Sequence, residues 1–160
     1  MIVVPRAHAP IRALNGLLGR LPRVSLSPAA LLDRARRRTG LADFGPEGPY
    51  EEGLTVLCRA LEEEADLTPL GRLLARQMLV QALACQLQLQ DWLAREPSIL
   101  EAAIECPLVI VGMPRTGTTI LHELLALDPS NRCPLTWEVA HPFPPPETAG
   151  YAGDPRIARH

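Results

Sequence analysis

The residues with the clearest chemical meaning fall in one stretch, PLVIVGMPRTGTTILHELLALDPSNRCPLTWEVAH, residues 107–141. Gly112 and Gly117 keep the spacing of the phosphate-loop template GxxxxGK[ST], and Thr119 supplies its final hydroxyl, but Thr118 stands where the template has lysine. Glycines at those two positions let the backbone curl until successive N–H groups and a helix N-terminus face one anion. Thr118 and Thr119 add hydroxyl donors. Arg115 adds a fixed charge whose planar fork matches phosphate or sulfate oxygens. A nucleoside triphosphate asks for more: a lysine that reaches the β- and γ-phosphates and an acidic residue that holds magnesium. All sixteen basic residues are arginine, and no strand-like run here ends in such an aspartate. The loop therefore suits a less highly charged group, such as one phosphate joined to sulfuryl.

The elements around the loop follow from pattern. PLVIVG is a short apolar run bounded by proline and glycine, which predicts a strand covered on both faces. MPRTG is the loop and TTILHELLALD a helix that ends at Asp128 and Pro129. Strand, glycine loop and helix in this order form the first unit of a parallel α/β sheet, and the texture of the chain changes at Cys106. Everything before it reads as helices. Ser27 caps a helix with Pro28 at its first position and Gly40 after its last turn. Arg34, Arg36, Arg37 and Arg38 read as the solvated, dipole-favoured end of that helix, with a nucleic-acid patch as the rival reading. EEGLTVLCRALEEEA places Leu54, Leu57, Cys58 and Leu61 at helical spacing. Thr68 and Pro69 open a long helix running to about Arg95, mostly buried except for a stripe through Gln77, Gln81, Gln88, Asp91 and Arg95, with Trp92 as a core anchor.

The predicted fold class is thus α/β, a strand-loop-helix unit at 105–160 preceded by a mainly helical region at 1–104, so that this chain is itself mostly α. At 160 residues, 47% apolar and 21% charged, it is long enough for one real core. A net charge of −2 gives no reason to expect nucleic acid as a partner. Four cysteines without a CxxC pair, and no histidine cluster, argue against a metal site or a disulfide framework and for reduced thiols in the cytoplasm. The most apolar span, QMLVQALACQLQLQ, is too short and too rich in glutamine to insert stably in a membrane.

IVGMPRTGTTILHELLALDP followed by RCPLTWE resembles the 5′-phosphosulfate-binding segment of sulfotransferases, in particular the bacterial group whose loop reads PR[ST]GTT. The helical lead-in, with TGLADFGPEG, LTPLGR and LQDWL, is also similar to members of that group. The resemblance implies 3′-phosphoadenosine 5′-phosphosulfate (PAPS) as co-substrate, no metal, and an acceptor hydroxyl on a small molecule, glycan or lipid. It implies that Thr116, Gly117, Thr118 and Thr119 bind the 5′-phosphate, and that Arg115 neutralises charge there and on the bridging oxygen. Glu138 matches the glutamate that serves as base in relatives using a carboxylate, with His141 as the alternative base. Trp137 and Leu135 beside Glu138 would raise its pKa towards the useful range. The rival reading of Glu138 is a helix-start carboxylate satisfying backbone N–H groups near Thr136, and that of His141 is a structural residue at a helix end. His122 reads as a packing or hydrogen-bonding residue.

The resemblance also implies later elements that bind the 3′-phosphate and adenine and extend the sheet. The tail PFPPPETAGYAGDPRIARH cannot supply them, so the expectation is the front part of a truncated sulfotransferase. The alternatives are an inactive helical fragment that binds an anion and a divergent P-loop kinase, which Thr118 in the lysine position disfavours.

Overall fold

The computed structural model of the protein describes residues 8–46, 49–103, 107–113 and 115–159. The expected boundary between 104 and 105, Cys106, and Pro114 of the loop lie outside the described residues. The chain divides between Arg95 and Glu96 into two compact units.

The first unit holds four helices: α1 (Ala9–Leu18), α2 (Pro28–Thr39), α3 (Pro49–Glu63) and α4 (Pro69–Arg95). Their ends follow the local chemistry. Ser27 Oγ accepts the Ala30 N–H, and Gly40 closes α2 in the left-handed region, at φ +73°, with its N–H on the Arg36 carbonyl. Thr68 Oγ1 accepts the Gly71 N–H at the start of α4. The core gathers Leu31 and Ala35 of α2, Leu54 and Cys58 of α3, Val80, Leu83 and Leu87 of α4, and Phe44 from the connection between α2 and α3.

Burial of α4 is narrower than the sequence predicts. Leu74 and Met78 are exposed, and Trp92 is half-buried and outside the core cluster. Leucines on most of its circumference do not bury it, because α2 covers one face. Its glutamines have a structural use. Gln86 Nε2 donates to the Phe44 carbonyl at 3.0 Å, and the Gln90 amide lies where a Cβ on Gly45 would stand, 2.7 Å from its Cδ. No described helix is long and apolar enough to cross a membrane.

A partly buried ion pair ties the loop before α2 to α3 and α4. Arg72, 5% exposed, donates through Nε and Nη2 to the Val24 carbonyl and through Nη2 to Glu62 at 2.5 Å. Glu62 also accepts the Leu26 N–H, and these donors, Arg72 foremost, hold its carboxyl below the ordinary value.

The second unit contains α5 (Thr118–Ala126) and α6 (Thr136–Ala140), with 3-10 turns at Pro97–Glu101, Thr148–Gly153 and Ile157–Arg159. The strand expected at PLVIVG is not observed. Residues 107–113 have no regular structure, and Val111 is 89% exposed. A strand exists through its ladder of inter-strand hydrogen bonds, and no described segment pairs with this one. The described residues are thus helical and irregular, in keeping with a chain that is mostly α.

Candidate functional site: the glycine loop and the Glu138 carboxylate

The loop turns sharply. Arg115 has φ +70° and Gly117 has φ +87°, both in the left-handed region. The second is natural for glycine; the first strains an arginine and persists only because the surrounding turn fixes it. Thr116 Oγ1 donates to the Met113 carbonyl at 2.7 Å. At the other end of the turn, a Cβ on Gly112 would stand 2.7 Å from Thr118 Cγ2 and 2.9 Å from Thr116 Oγ1. Residue 112 thus lies against the first turn of α5, and a side chain there would have to displace those of Thr116 and Thr118.

Gly117 is the N-cap of α5 and its carbonyl accepts the Leu121 N–H. The N–H groups of the first turn have no intrahelical acceptor, and Gly117 brings no side chain to satisfy them. Thr116 and Thr119 are exposed and Thr118 half-buried. Arg115 is exposed, with no carboxylate partner among the described residues. Backbone donors, two or three hydroxyls and one guanidinium are thereby drawn into a single turn.

After α5 the chain reverses through Asp128, whose carboxylate accepts the backbone N–H and the hydroxyl of Ser130 and is held below its usual pKa by them. A cavity of about 270 Å3 lies between residues 107–110, α5 and the 130–133 turn. His122 borders it.

Glu138 is 8% exposed at the third position of α6. Its Oε2 accepts the Leu135 N–H at 2.6 Å and its Oε1 the Arg132 guanidinium at 2.5 Å. The expected rise in its pKa is reversed. The Leu135 N–H leads in stabilising the ionised form, with help from Arg132 and Tyr151, and together they outweigh desolvation and hold the carboxyl below its ordinary value. Apolar neighbours in sequence do not decide this; hydrogen-bond donors in space do. The geometry is that of a helix-start carboxylate, with partners other than the loop residues 115–119.

His141 follows α6. Its N–H donates to the Trp137 carbonyl, and its own carbonyl accepts Arg156 Nη1 at 2.8 Å. Arg156 also binds the Pro144 carbonyl, pairs with both oxygens of Asp154, and lies 5.0 Å from the centre of the Trp137 ring. The Tyr151 ring is tilted against that of Trp137, with centroids 5.4 Å apart. Arg156 holds the Asp154 carboxyl down to about 2.

Sequence reasoning missed Arg132, Tyr151, Asp154 and Arg156 as supports of the Glu138 region. One local signal was available: in Asp154-Pro155-Arg156 the aspartate accepts the N–H two residues on, an Asx-turn. The contacts of Arg132 and Tyr151 span loops that no period predicts. Among the described residues no group of three histidines, cysteines or carboxylates is placed to hold a metal ion.

Residues 107–159 match the family model described as the sulfotransferase family. The fold is similar to sulfotransferase STF1 from Mycobacterium tuberculosis H37Rv, at 33% identity and a TM-score of 0.76 over 86% of this chain and 38% of that one. It is also similar to sulfotransferase STF9 from Mycobacterium avium, at 34% identity and a TM-score of 0.73 over 84% of this chain and 34% of the other. The chain thus spans little more than a third of the length of these relatives. No curated protein shows significant sequence similarity to it.

Proposed function

Since the chain belongs to the sulfotransferase family, we propose that it supplies the 5′-phosphosulfate-binding part of an enzyme that moves a sulfuryl group from PAPS to an acceptor hydroxyl. The observation that carries this reading is the cradle at Gly112, where a Cβ would collide with Thr116 and Thr118. Such close approach gathers the N-terminal N–H groups of α5 and the loop hydroxyls around one anion.

PAPS, when bound, supplies the activated sulfuryl group. Thr116, Gly117, Thr118 and Thr119 bind its 5′-phosphate, and Arg115 places a positive charge where negative charge accumulates. Sulfuryl transfer to an alcohol also needs a base for the hydroxyl proton. Glu138 is assigned that role. Its lowered pKa keeps it ionised at neutral pH and also makes it a weak base, so Arg132 must release one oxygen for the proton to be taken. His141 is the alternative base. In this reading residues 107–112 become a strand of a parallel sheet once neighbouring strands pair with them, with a helical domain at 1–104 and the sheet domain from 105. The acceptor is a small molecule, glycan or lipid hydroxyl, and the free thiols of Cys58, Cys85 and Cys133 suit the cytoplasm.

Calorimetric titration with the desulfated nucleotide tests the loop: Arg115→Ala is expected to weaken binding by roughly 1.5–3 kcal/mol, the worth of a charged hydrogen bond. Equal affinity for parent and variant would remove the loop from the donor site. Glu138→Gln should depress turnover and leave nucleotide affinity nearly intact; retained turnover would pass the role of base to His141. The engagement of Glu138 by Arg132 and Leu135 favours a second reading, in which the chain on its own binds the anion without transferring sulfuryl. Sulfate transfer by the isolated chain would exclude that reading.

A further inference from the structure

The first unit carries a concentration of positive charge that the sulfotransferase reading does not use. Arg34, Arg37 and Arg38 lie at i, i+3 and i+4 on α2, hence on one face of the helix. With Gln77 and Val80 of α4 they line an open cleft of about 470 Å3. That volume is within the roughly 300–1,000 Å3 of small-ligand sites. No carboxylate lines it. Arg37 is paired with Asp33, but Arg34, Arg38 and the neighbouring Arg76 have no carboxylate partner among the described residues.

Arg76 shows the consequence. Partial burial, and after it the charge of Arg34, hold its guanidinium below the ordinary value. Like charges placed together on packed helices destabilise the fold unless a counter-charge joins them. Elsewhere in the unit arginines do find partners: Arg72 and Arg23 share Glu62, Arg95 pairs with Asp91, and Arg36 lies 5.1 Å from the centre of the Phe44 ring. The cleft instead brings Arg34 and Arg38 together, neither with a carboxylate partner among the described residues. Its guanidinium forks present several N–H donors to one space, the arrangement that suits a tetrahedral oxyanion, and the Gln77 amide adds a neutral donor.

We propose that the cleft between α2 and α4 is a binding site for phosphate- or sulfate-type oxyanions, carried by Arg34 and Arg38 with Arg37 and Gln77 beside them. The group can arrive as a free anion or as an ester on a larger molecule, and the recognising chemistry is the same.

The test uses the full chain carrying Arg115→Ala, so that binding at the glycine loop does not report on the cleft. Inorganic pyrophosphate is one probe, and dextran sulfate set against unsulfated dextran is the other. Introducing Arg34→Gln and Arg38→Gln together is expected to weaken the affected probe at least about tenfold, as loss of charged hydrogen bonds implies. Pyrophosphate binding lost in this way identifies a free anion. Dextran sulfate binding lost in this way, without pyrophosphate binding, identifies ester groups on a polymer. Both side chains are exposed, and the repulsion lost is offset by the dipole attraction lost with Arg38 in the last turn of α2, so the doubly substituted chain should unfold at a midpoint close to its parent's at low salt. Affinity for both probes unchanged by the substitutions, no binding of either, or equal binding of dextran and dextran sulfate would overturn the proposal, as would a large fall in the midpoint.

Discussion

The two units treat similar apolar sequences in opposite ways. In the first, α2, α3 and α4 bury Leu31, Cys58 and Leu87 almost completely, and Leu31 and Leu87 are fully inaccessible. In the second, α5 has the sequence TTILHELLA and buries nothing: Ile120, Leu121 and Leu124 are all exposed, as are Leu108, Val109 and Val111 before the loop. The difference teaches that an apolar segment and its burial are separate outcomes. Three helices with facing apolar stripes can satisfy one another, whereas a helix and a single extended segment cannot cover both their faces. Beyond α5 the second unit buries Trp137 against Tyr151 and Arg156, and Arg156 also joins Asp154 to the carbonyls of His141 and Pro144.

That contrast can be broken experimentally, and the largest effect belongs in the first core. Leu31→Ala should destabilise the helical unit by about 3 kcal/mol, because it removes a fully buried side chain and leaves a cavity; urea unfolding followed by far-UV circular dichroism measures it, and a change below about 1 kcal/mol would mean the core is not consolidated. Acid should act next, on the polar assembly of the second unit. Asp154 has its folded pKa lowered to about 2, against roughly 3.9 for an unfolded aspartate, so its contribution is fully present above about pH 4 and disappears as pH falls through about 2. Trp137 fluorescence in a Trp92→Phe chain should hold steady down to about pH 4 and change below it. A transition centred near pH 6 would deny Asp154 and Arg156 their anchoring role. The smallest effect is expected at Leu124→Ala, within about 0.5 kcal/mol of neutral, since the side chain is exposed. A cost equal to that of Leu31→Ala would show that α5 is covered in solution and erase the contrast.

Much of the first unit was legible in the sequence, because helix signals are local. Ser27, Gly40 and Thr68 act as caps where their types predict, and α4 ends at Arg95 before Pro97. The burial of α4 was overestimated, since counting apolar residues around a helix says nothing of how many neighbours will face it. At the candidate site, both glycines of the loop have the conformational reasons that the template implies. The sequence leaves Glu138 between a base with a raised pKa and a helix-start carboxylate, and the structure lowers its pKa, because Arg132 and the Leu135 N–H approach it through a turn that periodicity does not describe.

The sequence by itself determined the helices, their caps, the glycine loop ahead of α5 and the arginine-only basic complement, all of which depend on residues a few positions apart. Tertiary structure alone decided that PLVIVG is not a strand among these residues, that Glu138 is tied to Arg132, and that Arg34 and Arg38 open onto a cleft beside Gln77. Each of these depends on which distant groups come within a few ångströms. A strand needs a ladder, a carboxylate takes its pKa from donors in space, and a charge is neutralised only by a partner the fold brings to it.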